Sequence, residues 1–109
     1  MSDTIFGKIA RGELKVDLLH EDEICVAFND ISAQAPVHVL VIPRQPYEDA
    51  VQSDAATLGH LMKVAAQLGA ARCPHGFRLL TNVGAEGGQS VPHLHVHVLG
   101  GRALGWPPG

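Results

Sequence analysis

The chain has 109 residues, enough for one domain with a single modest core and too few for two. Hydrophobic residues make up 46% and charged residues 17%, a globular composition that excludes a disordered chain. The formal net charge is −3 and the eight Lys and Arg residues are scattered, which leaves no electrostatic footprint for a nucleic-acid partner or an anionic membrane surface.

The polar start Met1-Ser2-Asp3-Thr4 leads into no long apolar run, so no signal peptide is expected. No stretch approaches the roughly 18 apolar residues of a membrane span, and a cytoplasmic protein is the expectation. Asp3 or Thr4 can cap a short helix carrying Ile5, Phe6 and Ile9 on one face, with Gly12 ending it. Strands are predicted at 17–20 and 24–28, around the charged turn Glu21-Asp22-Glu23, and at 37–42, closed by Pro43. Cys25 lies in the second of these runs; it and Cys73 read as free thiols, since nothing suggests a secretory context. Ser53 is the predicted N-cap of one long helix over 54–72, where Leu58, Leu61, Met62, Ala65 and Leu68 form a core-facing stripe. Cys73-Pro74-His75-Gly76 breaks that helix. A fourth strand is predicted over 77–83, a glycine-rich loop over 84–90 and a fifth strand over 92–99. Five strands and two helices, one long and one short, make an α+β domain with an antiparallel sheet. The Gly- and Pro-rich tail from Gly100 to Gly109 cannot be regular structure, and its Trp106 needs a surface elsewhere in the domain or on a partner chain.

Seven histidines are many for this length, and His93, His95 and His97 alternate with Leu94, Val96 and Val98. In a strand the apolar set faces the core and the three imidazoles share the other face. Three readings compete. A solvated face with incidental histidines is the plainest. A metal site suits imidazole, yet residues i and i+2 of one strand lie nearly 7 Å apart by strand rise, so three in line converge poorly. Nucleophilic catalysis is the third, because neutral imidazole attacks phosphorus without a separate deprotonation and a neighbouring imidazole can meet phosphoryl oxygens. The adjoining loop Gly84-Ala85-Glu86-Gly87-Gly88-Gln89-Ser90 favours the third, since glycines let backbone amides turn inward on an anion. No metal or other cofactor is expected on this reading.

His93-Leu94-His95-Val96-His97-Val98-Leu99 resembles the His-φ-His-φ-His-φ-φ motif of the histidine triad superfamily. Asp3-Thr4-Ile5-Phe6-Gly7-Lys8-Ile9, Ala35-Pro36-Val37-His38-Val39-Leu40-Val41-Ile42-Pro43-Arg44, Gly87-Gly88-Gln89-Ser90-Val91 and Trp106-Pro107-Pro108-Gly109 resemble its Hint branch, so the likeness runs along essentially the whole chain. The resemblance implies a homodimer in which two five-stranded sheets join. It also implies hydrolysis of purine nucleoside 5′-phosphoramidates through a covalent nucleotidyl-histidine. By position His95 matches the nucleophile, and His93 would fix its tautomer through a backbone carbonyl. His97 would contact the α-phosphate, Ser90 would face the leaving nitrogen, and His38 would stand behind the nucleophile. Asn82, Gly88 and Gln89 match the phosphate side and Asp30 the ribose-binding carboxylate. Ile5, Phe6, Ile9, Phe28 and Ile31 would wall the base pocket, and Trp106 would reach the partner's site. Pro92, Ala33, Asn29 and Arg44 depart from residues common in relatives. A purine-nucleotide binding module without catalysis stands as the alternative, alongside the metal-binding strand. His20, His60 and His75 match no catalytic position and read as surface or structural residues.

Overall fold

The computed structural model describes residues 3–109, so Met1 and Ser2 of the polar N-terminus lie outside the described residues. In chain order the elements are α1 (Ile5–Ala10), β1 (Leu18–Glu21), β2 (Cys25–Asn29), β3 (Val37–Pro43), α2 (Ala55–Arg72), β4 (Phe77–Leu80) and β5 (Val96–Gly100). The strands form one sheet in the order β1-β2-β3-β5-β4, with every pairing antiparallel. The α+β architecture is the one read from the sequence.

Of the two possible caps for α1, Thr4 takes the role: its Oγ1 accepts the Gly7 N–H at 3.0 Å. Ser53 was the expected cap of α2, but the structure places Asp54 there. The Asp54 carboxylate accepts the Thr57 N–H at 2.8 Å, while the Ser53 hydroxyl donates to the Asp54 carbonyl. A carboxylate at the positive end of the helix also gains from the helix dipole, which a hydroxyl does not. The expected stripe of α2 packs inward, joined by Val64 and Gly69. Gly69 has no room for a methyl group, because the Phe77 ring lies directly against it.

Strand alternation divides the apolar residues between two faces. Cys25 and Ala27 of β2, Val39 and Val41 of β3, and Val96 and Val98 of β5 face α2 and form the main core with Leu61, Val64 and Ala65. Val26, Phe28, Leu40 and Ile42 face the other way, where α1 contributes Ile9 and Ala10. One helix of 6 residues covers only part of that second face, on which His38 and His97 also lie.

Both of the last strands are shorter than predicted. β4 stops at Leu80 rather than residue 83, and β5 starts at Val96 rather than residue 92. The backbone between them is committed elsewhere: Thr81 Oγ1 donates to the His95 carbonyl, Leu94 N–H to the Tyr47 carbonyl and His93 N–H to the Val91 carbonyl. Of the three motif histidines, only His97 therefore lies within a strand. The tail is irregular as expected; Arg78 anchors it through the Gly105 carbonyl and Arg102 reaches the Gln34 carbonyl. Trp106 is 83% exposed, so it covers no part of its own chain. Cys25 and Cys73 are free and buried, and among the described residues no helix is long and apolar enough to cross a membrane.

Candidate active site

His95 is buried where the chain enters β5, and its ring is fixed by its neighbour two residues back. His95 Nδ1 lies 2.7 Å from the His93 carbonyl, which can only accept, so Nδ1 carries the proton and Nε2 keeps its lone pair. The His93 ring turns away to the Pro43 carbonyl, with Nε2 at 3.0 Å. His93 is thus a bracket in both its side chain and its backbone, and the three motif histidines do not converge on a common centre.

His97 and His38 sit on the same sheet face by register, His97 opposite Leu40 and His38 opposite Leu99. The Gln34 N–H donates to His38 Nδ1 at 3.0 Å, which leaves the proton on His38 Nε2. That Nε2 lies 2.8 Å from His97 Nδ1 and 3.4 Å from Asp30 Oδ2, so it donates to His97. His97 Nδ1 is then an acceptor and its Nε2 carries a proton. One backbone amide, through His38, therefore sets the tautomer of His97. The rings of His95 and His97 lie 5.0 Å apart, one presenting a lone pair and the other an N–H.

Burial lowers the pKa of all four groups. For His95 and His93, desolvation outweighs the carbonyls that favour the charged form; for His38 it outweighs the Asp30 carboxylate. His97 is pushed down to about 4 by burial, followed by the neighbouring His95 and His38. The cluster is neutral at pH 7, as attack by a histidine on phosphorus requires.

Beside it opens a cavity of about 480 Å³ between α1 and β2. Ile5, Phe6, Ile9 and Phe28 line it as expected from the resemblance, with Asp30 and Ile31 at its edge. Ile31 is 98% exposed, a rim residue rather than a wall. The Phe6 ring, which lines the cavity, also packs against His95 in a T-shaped contact with ring centroids 5.0 Å apart. Asp30 accepts the Ser32 N–H through Oδ1 at 2.8 Å, which holds its other oxygen towards His38. Leu14, Val16 and Leu40 also line the cavity, and the sequence reading missed them. Leu40 could have been found from the two-residue period it shares with His38; Leu14 and Val16 lie in an irregular segment with no such signal.

The glycine loop differs from expectation. Gly88 N–H and Gln89 N–H bond to the Ala85 and Gly84 carbonyls, and Gly84 N–H bonds to Gln89 Oε1. Gln89 Nε2 donates to the Glu48 and Val91 carbonyls, and Asn82 Nδ2 to the Gly87 carbonyl. Three amides expected to turn on an anion are spent within the loop, so it is a braced turn rather than an open nest. Ser90 follows it, exposed to solvent. Trp106 does not reach this site within one chain.

Residues 11–104 match the HIT domain model. The chain belongs to the HIT family. An uncharacterized HIT-like protein of Synechococcus elongatus is 51% identical over 114 residues, covering 98% of this chain and 97% of its own. The crystal structure of a HIT family hydrolase from Legionella pneumophila superposes with a TM-score of 0.92 at 38% identity, covering 98% of this chain and 100% of that one. A hypothetical histidine triad nucleotide-binding protein from Sulfolobus tokodaii superposes at 0.77 and 37% identity, covering 87% of this chain and 66% of that one. This HIT protein carries all three histidines of the triad in a fold shared with those relatives.

Proposed function

We propose that this HIT protein hydrolyses purine nucleoside 5′-phosphoramidates through a nucleotidyl intermediate on His95. The observation that carries the reading is the bond from His95 Nδ1–H to the His93 carbonyl, which leaves Nε2 an uncharged nucleophile on a ring packed against Phe6 of the apolar slot. In the first step the Nε2 lone pair forms a bond to phosphorus, and the P–N bond of the substrate breaks on the opposite side. The amine departs with a proton drawn from solvent through Ser90. In the second step water attacks phosphorus, the P–Nε2 bond breaks, and the water's proton returns to solvent. His97 Nε2–H donates to a phosphoryl oxygen throughout and need not ionise. The base lies between Phe6, Ile9 and Phe28, and Asp30 meets the ribose hydroxyls. The hydrolase and nucleotide-binding descriptions of the structural relatives agree with this assignment.

The working unit is a homodimer. β4 is an edge strand with one neighbour, and the exposed Trp106 lies beside it on a tail anchored by Arg78 of that strand. The test is turnover of adenosine and guanosine phosphoramidates bearing a fluorogenic amine, run beside His95→Ala. The variant should bind nucleotide and release no amine; near-normal release would overturn the assignment. Nucleotide binding by the native protein with no turnover of either substrate would favour the binding-module reading instead.

A further inference from the structure

On the opposite side of the sheet from the candidate active site, three side chains of metal-binding type converge on one carboxylate oxygen of a fourth. His20 lies on β1, Asp22 in the β1–β2 turn, Cys25 begins β2, and His60 lies on α2. Asp22 Oδ2 is 2.7 Å from His20 Nε2, 2.8 Å from His60 Nε2 and 3.6 Å from Cys25 Sγ. The donor atoms of His20, Asp22 and Cys25 all lie within 4.8 Å of one another. The other carboxylate oxygen accepts the Ile24 and Cys25 amides, each at 2.8 Å, so the side chain is held with Oδ2 facing the cluster.

We infer that His20, Asp22, Cys25 and His60 form a binding site for a zinc-type divalent cation, separate from the histidine triad.

Two imidazoles, a thiolate and a carboxylate make a borderline-soft four-donor set, which suits Zn²⁺ over Mg²⁺ or Ca²⁺. Tetrahedral zinc with bonds of about 2.0–2.3 Å sets neighbouring donors roughly 3.3–3.7 Å apart. The Sγ to Oδ2 spacing already matches; the His20 imidazole has to retreat from Oδ2 by about half an ångström, and the His60 imidazole, which touches Asp22 but lies outside the group formed by the other three, has to swing in towards it. The histidine side chains are 32% and 37% exposed, which gives an ion a path from solvent. On binding, the thiol proton passes to solvent and each imidazole presents an unprotonated Nε2 to the ion with its proton on Nδ1. The ion's two charges are then balanced by Asp22 and the thiolate. The Arg44 guanidinium opposes a cation, since it donates to the Asp22 carbonyl at 2.7 Å, although Glu21 lies 3.6 Å from it. Burial, and then Asp22, push the Cys25 thiol up to about 12, so without an ion it is a neutral hydrogen-bond donor. A bound ion would tie α2 to the β1–β2 hairpin and stiffen the core without touching the triad.

The test uses the full chain stripped with a chelator and titrated with Zn²⁺ and Co²⁺. One equivalent of Zn²⁺ should bind and raise Tm by several degrees. Co²⁺ should give the intense visible bands of a tetrahedral site with a thiolate-to-cobalt band in the near ultraviolet. Cys25→Ser should lose that near-ultraviolet band. Because Cys25 is a core residue, His20→Ala and His60→Ala provide the second arm, each lowering Zn²⁺ affinity at least tenfold. His97→Ala should leave affinity unchanged. Absence of binding at micromolar Zn²⁺, binding indifferent to His20 and His60, or binding lost in His97→Ala would each overturn the site.

Discussion

The nucleophilic role proposed for His95 rests on the group bonded to the far side of its ring. A carbonyl accepts only from an N–H, so the His93 carbonyl at 2.7 Å directs the lone pair of His95 to Nε2. His38 does the corresponding work for His97, using the Gln34 amide as its own reference. His38→Ala should free His97 to change tautomer and should lower kcat by about 10–100-fold with little change in KM, as steady-state kinetics would read it. His38→Gln, whose amide can still donate to His97, should recover part of the loss. The pH profile follows from burial, which holds His95 below 6.5. The acid limb of kcat/KM should therefore lie below pH 6.5, and a limb centred above 7 would contradict a buried neutral nucleophile. These tautomers were legible only in part. The spacing of His93, His95 and His97 points to a histidine cluster and the family resemblance points to His95 within it, but the Gln34 amide and the Pro43 carbonyl are backbone atoms with no signature in the sequence.

Elements were legible wherever side-chain periodicity governs them. The stripe on α2 and the alternation of β3 are both written in apolar residues, and both fold as read. Boundaries failed where hydrogen bonding decides. The backbone of 92–95 reads as strand from its alternation, yet bonds to Tyr47 and Thr81 draw it out of the ladder. At the start of α2, a Ser-Asp pair offers two caps, and the helix dipole selects the carboxylate. Asp54→Ala should lower the urea denaturation midpoint while Ser53→Ala leaves it nearly unchanged. Gly69→Ala should cost about 1–3 kcal/mol by driving a methyl group against Phe77, although alanine favours helix.

At the scale of the whole molecule, the fold buries one sheet face under α2 and leaves part of the other for chemistry. Keeping a cluster of imidazoles in that half-buried face has a stability consequence. Their pKa values are lowered on folding, so the unfolded chain binds protons near pH 6.5 that the native state refuses down to about 4 at His97. Stability is complete above pH 6.5 and falls as pH drops through that window, at about 1.4 kcal/mol per pH unit for each proton taken up. Tm should decline from pH 7 to 5, and His97→Ala should reduce the slope. Sedimentation at micromolar concentration should give a dimer mass, and a monomer would remove the role assigned to Trp106. The central claim is a covalent bond between phosphorus and His95. Turnover with an adenosine phosphoramidate, quenched within milliseconds and read by mass spectrometry, tests it most directly. The account predicts a chain heavier by one adenylyl group, mapped to the peptide containing His95 and absent in His95→Ala. Steady turnover with no adduct at any time, or an adduct that persists in His95→Ala, would contradict it.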